Sequence, residues 1–180
     1  METILYFAYG SNMDTATLGG RRGVALGPAG AGRAKGWRLA LDKPSLLGNG
    51  EAVATIVADP QTEVWGVLYE MSAQDFEHLS LTEGVLIDHY TRVEIDVVAR
   101  SPWSDHEQEL RAVSLTSDHR DSSLRPSRRY MDLLLRGAAE HGLPASWIEM
   151  LKAVPADEET AESLALRPFL EAALRKPATS

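Results

Sequence analysis

The hydrophobic pattern of this chain changes period part-way along, and that change limits the fold more than any other feature. Between His89 and Val98, the residues Val93, Ile95 and Val97 alternate with Arg92, Glu94 and Asp96. This is the two-residue repeat of a strand with one buried face. Behind Ser127, by contrast, Tyr130, Leu133, Leu134 and Ala138 recur at the spacing of an amphipathic helix, and Gly142-Leu-Pro144 supplies its stop signal. Upstream of that point most apolar runs are short and rich in aromatic and β-branched residues. They predict strands at Thr3–Tyr9, Trp37–Leu41, Ala52–Ala58, Val64–Tyr69 and Leu110–Leu115, separated by Pro/Gly/Asn or Asp-Pro turns. Strands gathered first and helices gathered after define an α+β fold.

Smaller signals fill in the order. Asn12 or Asp14 caps a short helix reaching Leu18, and Ser72 caps another over Ser72–Leu81, with Asp75 at the third position of a capping box. Residues 19–36 are crowded with glycine, show little apolar periodicity, and read as a loop with room for a brief strand. Further helices are expected at Ser146–Val154 and Glu159–Leu174, the second interrupted at Pro168. Residues 1–175 read as a single domain and 176–180 as a frayed tail.

Composition excludes several functions. The net charge of −8 argues against a nucleic-acid partner, because phosphate contacts need a basic face. Arg120, Arg125, Arg128 and Arg129 do gather, but as a solvated loop. The chain has no cysteine, so thiol nucleophiles and thiolate metal sites are absent and a reducing compartment is a natural fit. The apolar stretch Ile4–Ala8 is too short for a membrane segment. These features predict a soluble cytoplasmic protein with no membrane partner; a homodimer is left open.

Candidate chemistry narrows in the same way. The run Gly30-Ala-Gly32-Arg-Ala-Lys-Gly36 misses the dinucleotide spacing by one residue. His78, His89, His106, His119 and His141 form no paired ligand motif, so no metal is expected. Ser11 lies in Tyr-Gly-Ser-Asn, which is not a nucleophile elbow, and a base would have to come from a distant histidine. Glu83 stands at a predicted helix end before Gly84, between Leu81 and Val85. Its local pattern suits either an exposed glutamate before a helix-terminating glycine or a tuned general base.

Four segments carry a resemblance. They are Tyr6-Phe-Ala-Tyr-Gly-Ser-Asn12, EVWGVLYEM at 63–71, LTEGV at 81–85, and PSRRYMDLLLRGAAEHGLP at 126–144. In this order and at these separations they resemble the γ-glutamylcyclotransferase family. The resemblance implies a small mixed β-barrel surrounded by helices, with the N-terminal loop and the glutamate facing one cavity. It implies a small-molecule γ-glutamyl substrate, no cofactor, and closure of that substrate to 5-oxoproline with release of an amine. Glu83 would be the general acid and base, and Tyr6, Phe7, Ala8, Tyr9, Gly10 and Ser11 would form the substrate loop. Tyr130 matches a ligand-contacting tyrosine, although a core aromatic would show the same pattern, and Asn12 would brace the turn. A non-catalytic metabolite-binding module on the same fold is the alternative.

Overall fold

A computed structural model describes residues 2–100 and 102–175. Strands β1 (Thr3–Ala8), β2 (Ala29–Pro44), β3 (Ala52–Ser72), β4 (Thr91–Ala99) and β5 (Gln108–Thr116) close into a barrel in the order β1-β3-β2-β4-β5. Neighbours pair antiparallel except at the closure, where Tyr6 of β1 meets Val113 of β5 in parallel register. Helices α1 (Ala73–Thr82), α2 (Arg128–Glu140), α3 (Ala145–Lys152) and α4 (Ala161–Leu174) flank the barrel. The expected mixed β-barrel with surrounding helices is the fold observed. The frayed tail expected at 176–180 lies outside the described residues.

Alternation along the strands divides the apolar residues between two cores. Phe7, Leu68, Ile95, Val97 and Ala112 belong to one, drawn mainly from the strands, which fills the barrel. Tyr6, Val67, Tyr69 and Met71 face the other way and pack with Phe76 of α1 and Met131 and Leu134 of α2. A Cβ on Gly137 would lie 2.5 Å from the Met13 carbonyl carbon. Only glycine there lets α2 seat so closely on the turn that follows β1.

Four expectations need correction. Residues 29–36 are the first half of β2 rather than loop, because small residues packed against β3 and β4 leave no apolar period to read. The two strands predicted at 52–58 and 64–69 are one strand, β3. Asp59-Pro60 makes a bulge, held by the Asp59 carboxylate on Gln61 N–H at 3.2 Å and by the Thr62 hydroxyl on Trp37 O at 2.9 Å. The short helix reaching Leu18 is instead a 3₁₀ turn over Ser11–Met13 followed by a π-helical turn over Ala16–Arg21. Asp14 does cap that second turn, accepting from Thr17 N–H at 2.8 Å and from its hydroxyl at 2.6 Å. Helix α4 runs through Pro168 without a break: the proline lies on an exposed face and removes one intrahelical bond, to the carbonyl of exposed Leu164. No helix among the described residues is long and apolar enough to cross a membrane.

Candidate active site

Helix α1 ends at the wall of a cavity. Ser72 caps its N-terminus by accepting from Asp75 N–H at 3.1 Å, and Glu83 occupies its C-cap. Gly84 follows at φ 75, a left-handed conformation that turns the chain sharply. A carboxylate at this end of a helix meets the negative end of the dipole. Arg22 offsets that: its guanidinium nitrogen stands 2.6 Å from Glu83 Oε1, and a second nitrogen donates to the Thr82 hydroxyl at 2.5 Å. The Asn12 amide also donates to Oε1, at 2.9 Å, and to the Tyr6 hydroxyl at 3.1 Å. Two donors thus hold one oxygen, and Oε2 has no hydrogen-bond or ion-pair partner among the described residues.

Glu83 lines a cavity of about 260 Å³ together with Tyr6, Tyr9, Gly10, Ser11 and Tyr130. Six of the eight residues expected at the site therefore share one space. Phe7 and Ala8 do not reach it. Phe7 alternates inward to the barrel core, its carbonyl bound by the Ser114 hydroxyl at 2.8 Å, and Ala8 packs among the residues between sheet and helices.

Tyrosines fix the cavity wall. The register between β2 and β3 shifts after Ala40, beside Ala54. Ala54 N–H donates to the Tyr130 hydroxyl at 2.9 Å, and the Tyr90 hydroxyl donates to Ala54 O at 2.5 Å. The Tyr9 hydroxyl donates to Leu115 O. A Cβ on Gly10 would lie 3.0 Å from the Tyr130 hydroxyl, so the loop glycine makes room for that tyrosine. Burial, helped by the nearby Glu83 charge, pushes the Tyr130 hydroxyl up to about 12 and raises Tyr6 further. All four phenols stay protonated at neutral pH and act as neutral hydrogen-bonding groups.

Four contributions escaped sequence reasoning. Asn12 does more than brace a turn, since it positions Glu83. Arg22 carried no signal at all within its glycine-rich surroundings. Lys43 is fully buried behind the cavity, with Nζ 2.5 Å from His89 Nε2, 3.0 Å from Pro44 O and 4.2 Å from the Tyr90 ring centre. Burial lowers its ammonium to about 8, against the attraction of Glu83, and burial followed by Lys43 lowers His89. Helix α4 adds Ser163, Arg167, Leu170, Glu171 and Leu174, one face at helical spacing. Among the described residues no cluster of three or more His, Cys, Asp or Glu could hold a metal ion.

The barrel agrees with what the chain resembles in sequence. Residues 63–151 match the AIG2-like family. The γ-glutamylcyclotransferase of Mus musculus is 35% identical over 161 residues, covering 87% of this chain and 81% of the relative. That of Homo sapiens is 32% identical over 163 residues, covering 88% and 82%. A solved structure of a γ-glutamyl cyclotransferase superposes with a TM-score of 0.77 at 26% identity, covering 95% of this chain and 99% of the other. This chain belongs to the γ-glutamylcyclotransferase family. It is an enzyme of that class.

Proposed function

We propose that this protein converts a γ-glutamyl amino acid or amine to 5-oxoproline and the free amine, with Glu83 carrying the protons. The observation that supports this reading most strongly is the half-anchored carboxylate. Asn12 and Arg22 hold Oε1, and Oε2 is left unpartnered on a side chain that lines the cavity.

The reaction needs no protein nucleophile. The α-amino nitrogen of the glutamyl group attacks its own δ-carbonyl carbon, closing a five-membered ring, and the bond from that carbon to the leaving nitrogen breaks. The amine arrives as an ammonium, so one proton passes to Glu83 before attack and on to the departing nitrogen as the tetrahedral intermediate collapses. The second proton, shed by the ring nitrogen after attack, follows through the regenerated carboxylate, and the released amine leaves as an ammonium. One carboxylate serves both steps, a contribution of about 10²–10⁴-fold. Folding the substrate into its ring-ready bend supplies more, about 7–11 kcal/mol in favourable systems. The Tyr6 and Tyr130 hydroxyls, which accept from Asn12 and Ala54 and keep their own protons to donate, and the N–H groups of the 10–12 loop receive the glutamyl carboxylate and the developing oxyanion.

Mass spectrometry of the product from γ-glutamyl-alanine tests the reading. Cyclisation gives 5-oxoproline and alanine, whereas attack by Ser11 followed by water gives free glutamate. Free glutamate as the sole product would overturn the proposal.

A further inference from the structure

The cavity is lined at a second place by charges that the proton transfer does not use. Arg21 is the last residue of the π-helical turn, directly before Arg22, Arg129 lies in the first turn of α2, and Arg167 projects from α4; all three line the cavity. Arg22 binds Glu83, while its neighbour Arg21 reaches Glu171 instead. Arg21 and Arg22 are neighbours in the chain, and the second cluster and Glu83 line the same cavity.

That cluster is short of negative charge. Arg21 and Arg129 share a single oxygen of Glu171, at 3.5 and 3.4 Å, and Glu171 is 41% exposed. A guanidinium has five N–H donors, so long contacts to one shared oxygen leave most of their capacity unused. Arg167 pairs with Glu159, but its Nε is buried without a partner among the described residues. Three cations thus pair with two carboxylates, while Glu51, also on the cavity wall, is held by the Ser163 hydroxyl at 2.7 Å rather than by an arginine. Arg129 feels the excess, since burial and then the nearby Arg167 and Arg21 charges lower it from the usual arginine range.

We propose that Arg21, Arg129 and Arg167 determine specificity by reading negative charge on the departing amine, so that the favoured leaving groups are dicarboxylic amino acids. Glu171 is the placeholder. It swings to water when a substrate carboxylate takes its position between Arg21 and Arg129, and the Arg167 guanidinium, which lines the cavity, receives the second. This rests on the cyclotransferase reading and names its substrate class.

The test compares γ-glutamyl-glutamate with γ-glutamyl-glutamine, which differ in one charge and almost nothing in shape. Hydrogen bonds to a charged group at a partly exposed rim predict that kcat/KM favours the acid by about ten-fold. The preference should lie mainly in KM and shrink as salt is raised. In the Arg129→Gln, Arg167→Gln double variant the ratio of the two substrates should fall to near one, a comparison that holds even if total activity drops. In Glu171→Gln, which removes the competing carboxylate, the ratio should rise. Equal kcat/KM values in the parent enzyme, or an unchanged ratio in the double variant, would overturn the inference and leave the cyclotransferase reading standing. Absence of 5-oxoproline from both dipeptides would overturn that reading and this inference with it.

Discussion

The Asn12 amide donates to Glu83 Oε1 at 2.9 Å, joining residues 71 positions apart in the chain. The same nitrogen reaches the Tyr6 hydroxyl, so one side chain ties the loop after β1 to the end of α1. Asn12→Ala removes that tie and leaves Arg22 as the sole holder of the carboxylate. Small misplacements of a catalytic group cost up to about 10²-fold. The expected result is a fall in kcat of about 10–100-fold with KM little changed, measured by steady-state release of 5-oxoproline.

Tyr130→Phe separates a structural role from a catalytic one. The phenol oxygen is the acceptor for Ala54 N–H, and the hydroxyl is buried against Gly10. Its removal orphans a buried donor, which costs about 1–3 kcal/mol. Urea unfolding should show a lower midpoint at unchanged slope. A variant as stable as the parent would mean that Ala54 N–H finds another acceptor.

Lys43 gives the fold a pH signature. Its folded value of about 8 lies below the ordinary 10.5, with burial as the main cause. Between those two values the unfolded chain holds more protons than the folded one, so this group makes stability rise with pH across that window. Below about 8 the lysine is charged in both states and the burial penalty stays in full. Lys43→Met should abolish the rise, flattening the melting temperature between about pH 8 and 9, below the range where tyrosines of the unfolded chain ionise and, being raised in the fold, lower stability. The same slope in both proteins would show that another group produces it.

The strongly patterned parts of the fold were legible in sequence. The alternation around Val93, Ile95 and Val97, the cap at Ser72 and the helix behind Ser127 each follow from local physics, and each appears where expected. What escaped was non-local. Small residues over 29–36 carry no period, so only closure of the barrel shows them to be strand. Pro60 is tolerated because its segment bulges out of the ladder, which depends on the partner strand. At the site, Glu83 and Tyr130 could be named from the chain, because their segments carry a recognisable pattern. Arg22, Lys43 and the face of α4 could not, because their roles exist only through contacts with residues dozens of positions away.

The central claim is that a single carboxylate moves the protons while the substrate attacks itself. Glu83→Gln tests it most directly: glutamine keeps the shape and an oxygen for Asn12 and Arg22 but cannot accept the ammonium proton. With γ-glutamyl-alanine as substrate and circular dichroism confirming a folded variant, 5-oxoproline release should fall by about 10²–10⁴-fold. A folded Glu83→Gln protein that turns over within about two-fold of the parent would contradict the account.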